Sequence, residues 1–95
     1  MEIHIYGSNE CPYTRAALQL ASAYASSYVM IPDVNYTKHT AIAGLEQKKS
    51  QLIEKKVTPS NDIWKQHTIP LIWMGSSFVG GFQDLKKKLV GTLLF

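Results

Sequence analysis

The only cysteine of this 95-residue chain, Cys11, lies where an apolar strand pattern gives way to a helix pattern. The strand pattern Ile3–Tyr6 ends in Gly7-Ser8, and Pro12 suits the first turn of a helix because it has no N–H to lose. A thiol in this position lies near unpaired N–H groups and the positive end of the helix dipole, both of which favour the thiolate. We therefore predict a reactive thiol, although a lone cysteine is often an inert buried hydrophobe.

The composition of the chain indicates the compartment and the partners to expect for this thiol. One cysteine allows no disulfide within the chain, which favours a reducing compartment, and we expect a cytoplasmic protein. The net charge is +3, and many of the lysines lie in short groups (48–49, 55–56, 86–88). We interpret these groups mostly as solvated helix faces. Because no aromatic residues are interleaved with them, we expect no nucleic-acid partner. No signal peptide or membrane span is predicted. The three histidines share no metal-ligand spacing with one another or with Cys11, so no metal is expected.

Periodicity predicts an α/β domain over residues 1–95, with the order β-α-β-α-β-β-α and one mixed four-stranded sheet. A helix of about four turns follows Pro12, with apolar residues at 18, 21, 24 and 25. The other predicted elements are a strand Tyr28–Val34, a helix Thr40–Lys56, a short turn Asp62–Gln66, a hairpin of Leu71–Met74 with Phe78–Val79, and a helix from Phe82. Trp64, Trp73 and Phe78 are interpreted as core or groove wall, while Thr92–Phe95 either docks on the sheet or promotes self-association.

Three segments of this order are expected at one end of the sheet. They are the Cys11 turn, the segment Thr68-Ile69-Pro70 that opens the third strand, and the Gly80-Gly81 turn before the last helix. A cis Ile69–Pro70 bond would turn the backbone groups of Ile69 toward a ligand, which would then pair with it as an added strand. The helix start after Gly81 offers N–H groups to a carboxylate. The pattern thus predicts a peptide-sized groove around one sulfur.

Together these features resemble the glutaredoxins, the glutathione-using branch of the thioredoxin fold. The likeness rests on Cys11-Pro12-Tyr13-Thr14, on Thr68-Ile69-Pro70, on Gly80-Gly81 with Asp84, and on the element order over nearly the whole chain. The resemblance implies a thioredoxin fold with three or more flanking helices and Cys11 as the nucleophile, supported by Pro12, Tyr13 and Thr14. It also implies a glutathione site formed by Tyr13, Thr68, Ile69, Pro70, Gly81, Phe82, Gln83 and Asp84.

Thr14 departs from the family's dithiol members, which carry their second cysteine at this position. Only a monothiol mechanism then remains, in which glutathione is the co-substrate and glutathionylated proteins or small mixed disulfides are the substrates. Pro12 and Tyr13 differ from the Cys-Gly-Phe-Ser motif of cluster-holding members, which argues against a bridging iron–sulfur cluster. Two alternatives remain: an electron-delivering partner protein, against which Thr14 counts because that role normally needs a dithiol, and a non-catalytic thioredoxin-fold binding module or cluster carrier. For the oxidoreductase we expect a monomer.

Ser8 is a second departure, because many glutaredoxins have a lysine three residues before the active cysteine. Lys65, Gln66 and His67 are candidates to replace that contact to the glycine carboxylate of glutathione. Glu10 would oppose ionisation of Cys11 if its carboxylate pointed inward. The segment of residues 40–62 is longer than in compact family members, and the sequence assigns it no function beyond packing or partner contact.

Overall fold

The computed structural model describes residues 2–25, 27–33 and 41–90, with backbone only at 41–43. The strands are β1 (Glu2–Gly7), β2 (Ser27–Pro32), β3 (Leu71–Met74) and β4 (Ser77–Gly80). The helices are α1 (Pro12–Tyr24), α2 (Ala41–Glu54), α3 (Ser60–Lys65) and α4 (Phe82–Leu89). Predictions made for Val34, His39, Thr40 and Thr92–Phe95 lie outside the described residues.

The four strands form one mixed sheet in the order β2-β1-β3-β4. β1 is parallel to β2 and antiparallel to β3, and β3 is antiparallel to β4. The predicted four-stranded mixed sheet with three or more flanking helices is therefore confirmed. Because β1 is a central strand with its carboxyl end at Gly7, it delivers the Cys11 turn to one end of the sheet.

A hydrophobic core lies on each face of the sheet. Alternation along β1 places Ile3 and Ile5 in one core and Tyr6 in the other. The first core is completed mainly by α1 and α4, and the second by α2 and α3 with Leu71 and Trp73 of β3. Burying each of these large apolar side chains contributes roughly 1.5–3 kcal/mol to folding, so the cores fix both helix layers against the sheet.

The helix α2 ends at Glu54, two residues before the predicted end. Lys56 adopts a left-handed conformation with φ 65°. The Val57 N–H donates to Leu52 O (3.0 Å) and the Lys56 N–H donates to Ile53 O (3.1 Å), which is the Schellman pattern of a helix end. Val57 and Leu52 are both buried, and an apolar contact between residues at these two positions commonly accompanies this kind of helix end.

Three aromatic or basic side chains differ from their sequence-based interpretation. Tyr24 belongs to the predicted apolar stripe of α1 but is 49% exposed, because Thr14, Ala17 and Ala21 form the buried face. Trp64 is 46% exposed, whereas Trp73 is buried as predicted. Lys49, interpreted as part of a solvated face, is only 1% exposed.

Candidate active site

Cys11 is the N-cap residue of α1. Its backbone is extended (φ −86°, ψ 121°), and its carbonyl accepts the first helical hydrogen bond from the Arg15 N–H at 3.1 Å. The thiol makes no capping bond, and the first turn of α1 contains no acidic residue. The exposed Glu10 side chain points to solvent rather than inward. The sulfur thus lies at a helix start whose N–H groups and dipole favour negative charge.

Ser8 and Thr14 fix the loop that carries Cys11. The Ser8 N–H donates to Thr14 Oγ1 (3.4 Å), the Cys11 N–H donates to Ser8 O (3.0 Å), and the Glu10 N–H donates to Ser8 Oγ (3.2 Å). Thr14 is fully buried against Gly7, where any Cβ would overlap its side chain. Ser8, at the position of the family's lysine, is therefore a buried turn residue and not a ligand contact.

A groove of about 360 Å³ lies between the first turn of α1, the segment before β3 and the start of α4. Every residue predicted to hold glutathione lines this groove, and the only additional lining residue is Gln66: Tyr13, Gln66, Thr68, Ile69, Pro70, Gly81, Phe82, Gln83 and Asp84. The Ile69–Pro70 peptide bond is cis. Cys11 is buried and does not line the groove, but its near neighbour Tyr13 does, and the Tyr13 ring lies 6.4 Å from that of Phe82.

The start of α4 closes one end of the groove. The Gly81 N–H donates to Asp84 Oδ2 at 3.1 Å, which caps the helix. The Leu85 N–H is the first to bond within the helix, to Gly81 O at 3.1 Å. The N–H groups of residues 82–84 therefore have no intrahelical acceptor and are available to a carboxylate.

Gln66 lies beside the start of α4, where a Cβ at Gly81 would be 3.2 Å from its Nε2. Its Nε2 donates to Thr68 O (2.8 Å) and to Pro70 O (3.3 Å). Lys65 and His67, the other sequence-based candidates for the missing lysine contact, are exposed and do not line the groove. Within the described ranges, the groove has no cationic side chain in its lining.

A second polar cluster lies at the carboxyl ends of β1 and β2, beneath α2, in a cavity of about 180 Å³. Burial, followed by the neighbouring Asp33 carboxylate, raises the pKa of Tyr6 far above its usual value. Burial, with Lys55 as a second cause, lowers the pKa of Lys48. A Cβ at Gly44 would lie 2.7 Å from Tyr6 Oη and 2.8 Å from Asp33 Oδ1. Sequence reasoning missed this cluster because its members come from three separate elements.

The described part of the chain offers neither a metal site nor a membrane span. No group of three or more His, Cys, Asp or Glu side chains is placed to hold a metal ion. No helix among these residues is long and apolar enough to span a membrane.

The order of elements, the cis-proline and the thiol at the start of α1 define a thioredoxin-type fold. No family model matches the chain, and no curated protein matches it. Among solved structures, it is similar to glutaredoxin 1 from Francisella tularensis, crystallised with cacodylate (24% identity, TM-score 0.59, covering 98% of this chain and 95% of that one). It is also similar to the holo form of glutaredoxin C1 from Populus tremula x tremuloides (19% identity, TM-score 0.61, covering 97% and 71%).

These neighbours identify the fold as that of the glutaredoxins, and the likeness predicted from the motifs is confirmed at the level of the fold.

Proposed function

We propose that this protein is a glutathione-dependent thiol–disulfide oxidoreductase that works by a monothiol mechanism, with Cys11 as the nucleophile. The observation that carries this proposal is the convergence of all predicted glutathione-binding residues on one groove beside the helix start that holds the thiol. Helix N–H groups at residues 82–84 would bind one carboxylate of glutathione, and the Ile69 backbone would pair with its peptide groups.

The reaction balances without an additional oxidant. The Cys11 thiolate attacks the glutathione sulfur of a mixed disulfide, forming a Cys11–glutathione disulfide, while the substrate thiolate leaves and takes up a proton. A second glutathione thiolate then attacks the glutathione sulfur on Cys11, which forms oxidised glutathione and restores the Cys11 thiolate. The net change is R–S–SG + GSH → R–SH + GSSG: one glutathione thiol is consumed, and the glutathione moiety taken from the substrate becomes the other half of oxidised glutathione.

Thr14 supports the monothiol route. A second thiol at this position would compete with glutathione for the Cys11 mixed disulfide, whereas a hydroxyl cannot. Because Thr14 is fully buried and bonded to the Ser8 N–H, it acts as a structural support of the loop. Glutathionylated proteins and small mixed disulfides are the proposed substrates, and a cytoplasmic location is proposed from the single cysteine.

The decisive experiment measures glutathione-dependent reduction of a small glutathione mixed disulfide, coupled to glutathione reductase. Wild type is compared with Cys11→Ser, and Arg15→Lys serves as a control at an exposed position of the same helix. We expect activity in wild type and the control, and background rates in Cys11→Ser. Equal background rates in all three proteins, with glutathione still bound, would contradict the proposal and leave a non-catalytic binding module. Visible absorption by freshly expressed protein would instead indicate a cluster carrier.

A further inference from the structure

Lys49 is the only lysine among the described residues that the fold buries, at 1% exposed. Its Nζ donates to Glu46 Oε1 (2.8 Å), Trp64 O (3.0 Å) and Gln66 O (2.8 Å). An ammonium group has three N–H donors, so every donor has an acceptor. The charge also lies 5.7 Å from the centre of the Trp64 ring. Burying a charge costs several kcal/mol unless an ion pair and hydrogen bonds offset that cost, as the three acceptors do for Lys49.

Lys49 holds the carboxyl end of α3 in place. The carbonyls of Trp64 and Gln66 belong to the last turn and the C-cap of this helix, where a cation is favoured by unpaired carbonyls and the helix dipole. Lys49 belongs to α2, so a single side chain holds the end of α3 against its neighbouring helix. The backbone of Gln66 is thereby anchored two residues before the groove segment 68–70.

The side chain of Gln66 connects this anchored backbone to the groove. Its Nε2 faces two carbonyl oxygens, those of Thr68 and Pro70, so its carboxamide orientation is fixed by the acceptors around it. Between these two carbonyls lies Ile69, whose backbone forms no hydrogen bond within the part of the chain that the structure describes. Gln66 thus satisfies the flanking carbonyls and leaves the Ile69 N–H and C=O for an extended ligand.

We propose that Lys49 is a positioning residue for the glutathione groove: through the Gln66 carbonyl and carboxamide it holds the backbone of residues 68–70 in the conformation that presents Ile69 to the ligand. The proposal rests on the proposed function for its ligand, but its structural content is independent of turnover.

A double-mutant cycle tests the coupling. Lys49→Met keeps the length of the side chain without its charge, Gln66→Met removes the carboxamide, and Lys87→Met removes a charge from an exposed position. For a glutathione mixed disulfide we expect Lys49→Met and Gln66→Met each to raise KM about 3- to 10-fold with kcat within about 2-fold, and the double variant to resemble Gln66→Met. Lys87→Met should match wild type. An unchanged KM in folded Lys49→Met, or additive effects in the double variant, would overturn the proposal.

Nuclear magnetic resonance of the wild type covers the case in which Lys49→Met does not fold. We expect an ordered Gln66 side-chain amide on the picosecond to nanosecond timescale and a slowly exchanging Lys49 ammonium group. A Gln66 amide as mobile as that of the exposed Gln83 would overturn the proposal. This readout needs no activity, so a wild type that is inactive and binds no glutathione would contradict the proposed function while the resonances still decide the role of Lys49.

Discussion

At the scale of single residues, Cys11 and Thr14 have different surroundings although only two residues separate them. The Cys11 side chain makes no capping bond. Thr14 accepts a hydrogen bond from the Ser8 N–H and fills the space that Gly7 leaves by having no Cβ. The Thr14 hydroxyl and methyl groups therefore hold the loop that carries Cys11 by one hydrogen bond and by packing.

We expect Thr14→Val to destabilise this loop. Valine keeps the shape of threonine but leaves the buried Ser8 N–H without an acceptor, which costs about 1–3 kcal/mol in the free energy of unfolding. Denaturant unfolding measures this loss, and hydrogen exchange locates it, because the Ser8 amide should exchange faster in Thr14→Val. Thr14→Ser retains the hydroxyl and should keep the Ser8 amide protected. Equal protection in all three proteins would contradict this role of Thr14.

Ionisation of Tyr6 makes the free energy of unfolding fall as the pH becomes alkaline. The pKa of Tyr6 is raised by burial and by the Asp33 carboxylate. Below pH about 10 the phenol is protonated in both states, and above it the unfolded chain releases the proton while the folded chain retains it, so the free energy of unfolding falls. We expect Tyr6→Phe to remove on the order of 1 kcal/mol of the fall measured between pH 9 and 11.

Tyr24→Phe is the matched control for this measurement, because Tyr24 is half-exposed on α1. Its pH profile should follow that of wild type. The comparison concerns the slope with pH and not the stability at neutral pH, since Tyr6→Phe also removes a hydroxyl from Asp33. A Tyr6→Phe slope identical to wild type would show that the phenol ionises equally in both states.

At the scale of elements, the positions of the helix ends determine which residues line the groove. α2 ends at Glu54 and is followed by the left-handed residue Lys56, after which the chain returns to pair with β4, where the Phe78 N–H donates to Thr58 O at 2.8 Å. This return places α3 so that its last carbonyls meet Lys49. The long segment to which the sequence assigned no function therefore supports one wall of the groove.

Lys56→Gly should stabilise the protein. A left-handed conformation is strained for lysine but not for glycine, so we expect a gain of about 0.5–1 kcal/mol despite the greater freedom of glycine in the unfolded chain. Thermal unfolding measures the change. Lys55→Gly removes the same charge one residue earlier, where φ is not positive, and should be neutral or destabilising. A lower melting temperature for Lys56→Gly than for Lys55→Gly would refute this account of the helix end.

At the scale of the whole molecule, the sequence predicted what depends on local spacing. Strand alternation at Ile3–Tyr6, the hairpin around Gly75 and the motif segments at Cys11, Pro70 and Gly81 are each encoded within a few neighbouring residues. Their meeting in one groove follows from the order of elements, because the topology of a mixed sheet leaves few ways to connect them.

Features that depend on distant partners were not predictable in this way. Lys49 resembles its neighbour Lys48 in sequence, and only the approach of α3 buries it. The cluster of Tyr6 and Asp33 forms because two strand ends meet beneath α2. The end of α2 carried no glycine signal, since Lys56 itself adopts the left-handed conformation.

Because the chain has a single thiol, it can be labelled at one known position without mutation. A thiol-directed fluorophore or spin label can attach only at Cys11, at the end of α1 that faces the groove, without prior removal of other cysteines. One label per chain gives one signal, and the burial of this thiol, which is 9% exposed, makes the labelling rate itself sensitive to loop opening. The residue proposed to carry the chemistry is thus also the natural position from which to observe the loop and the groove in solution.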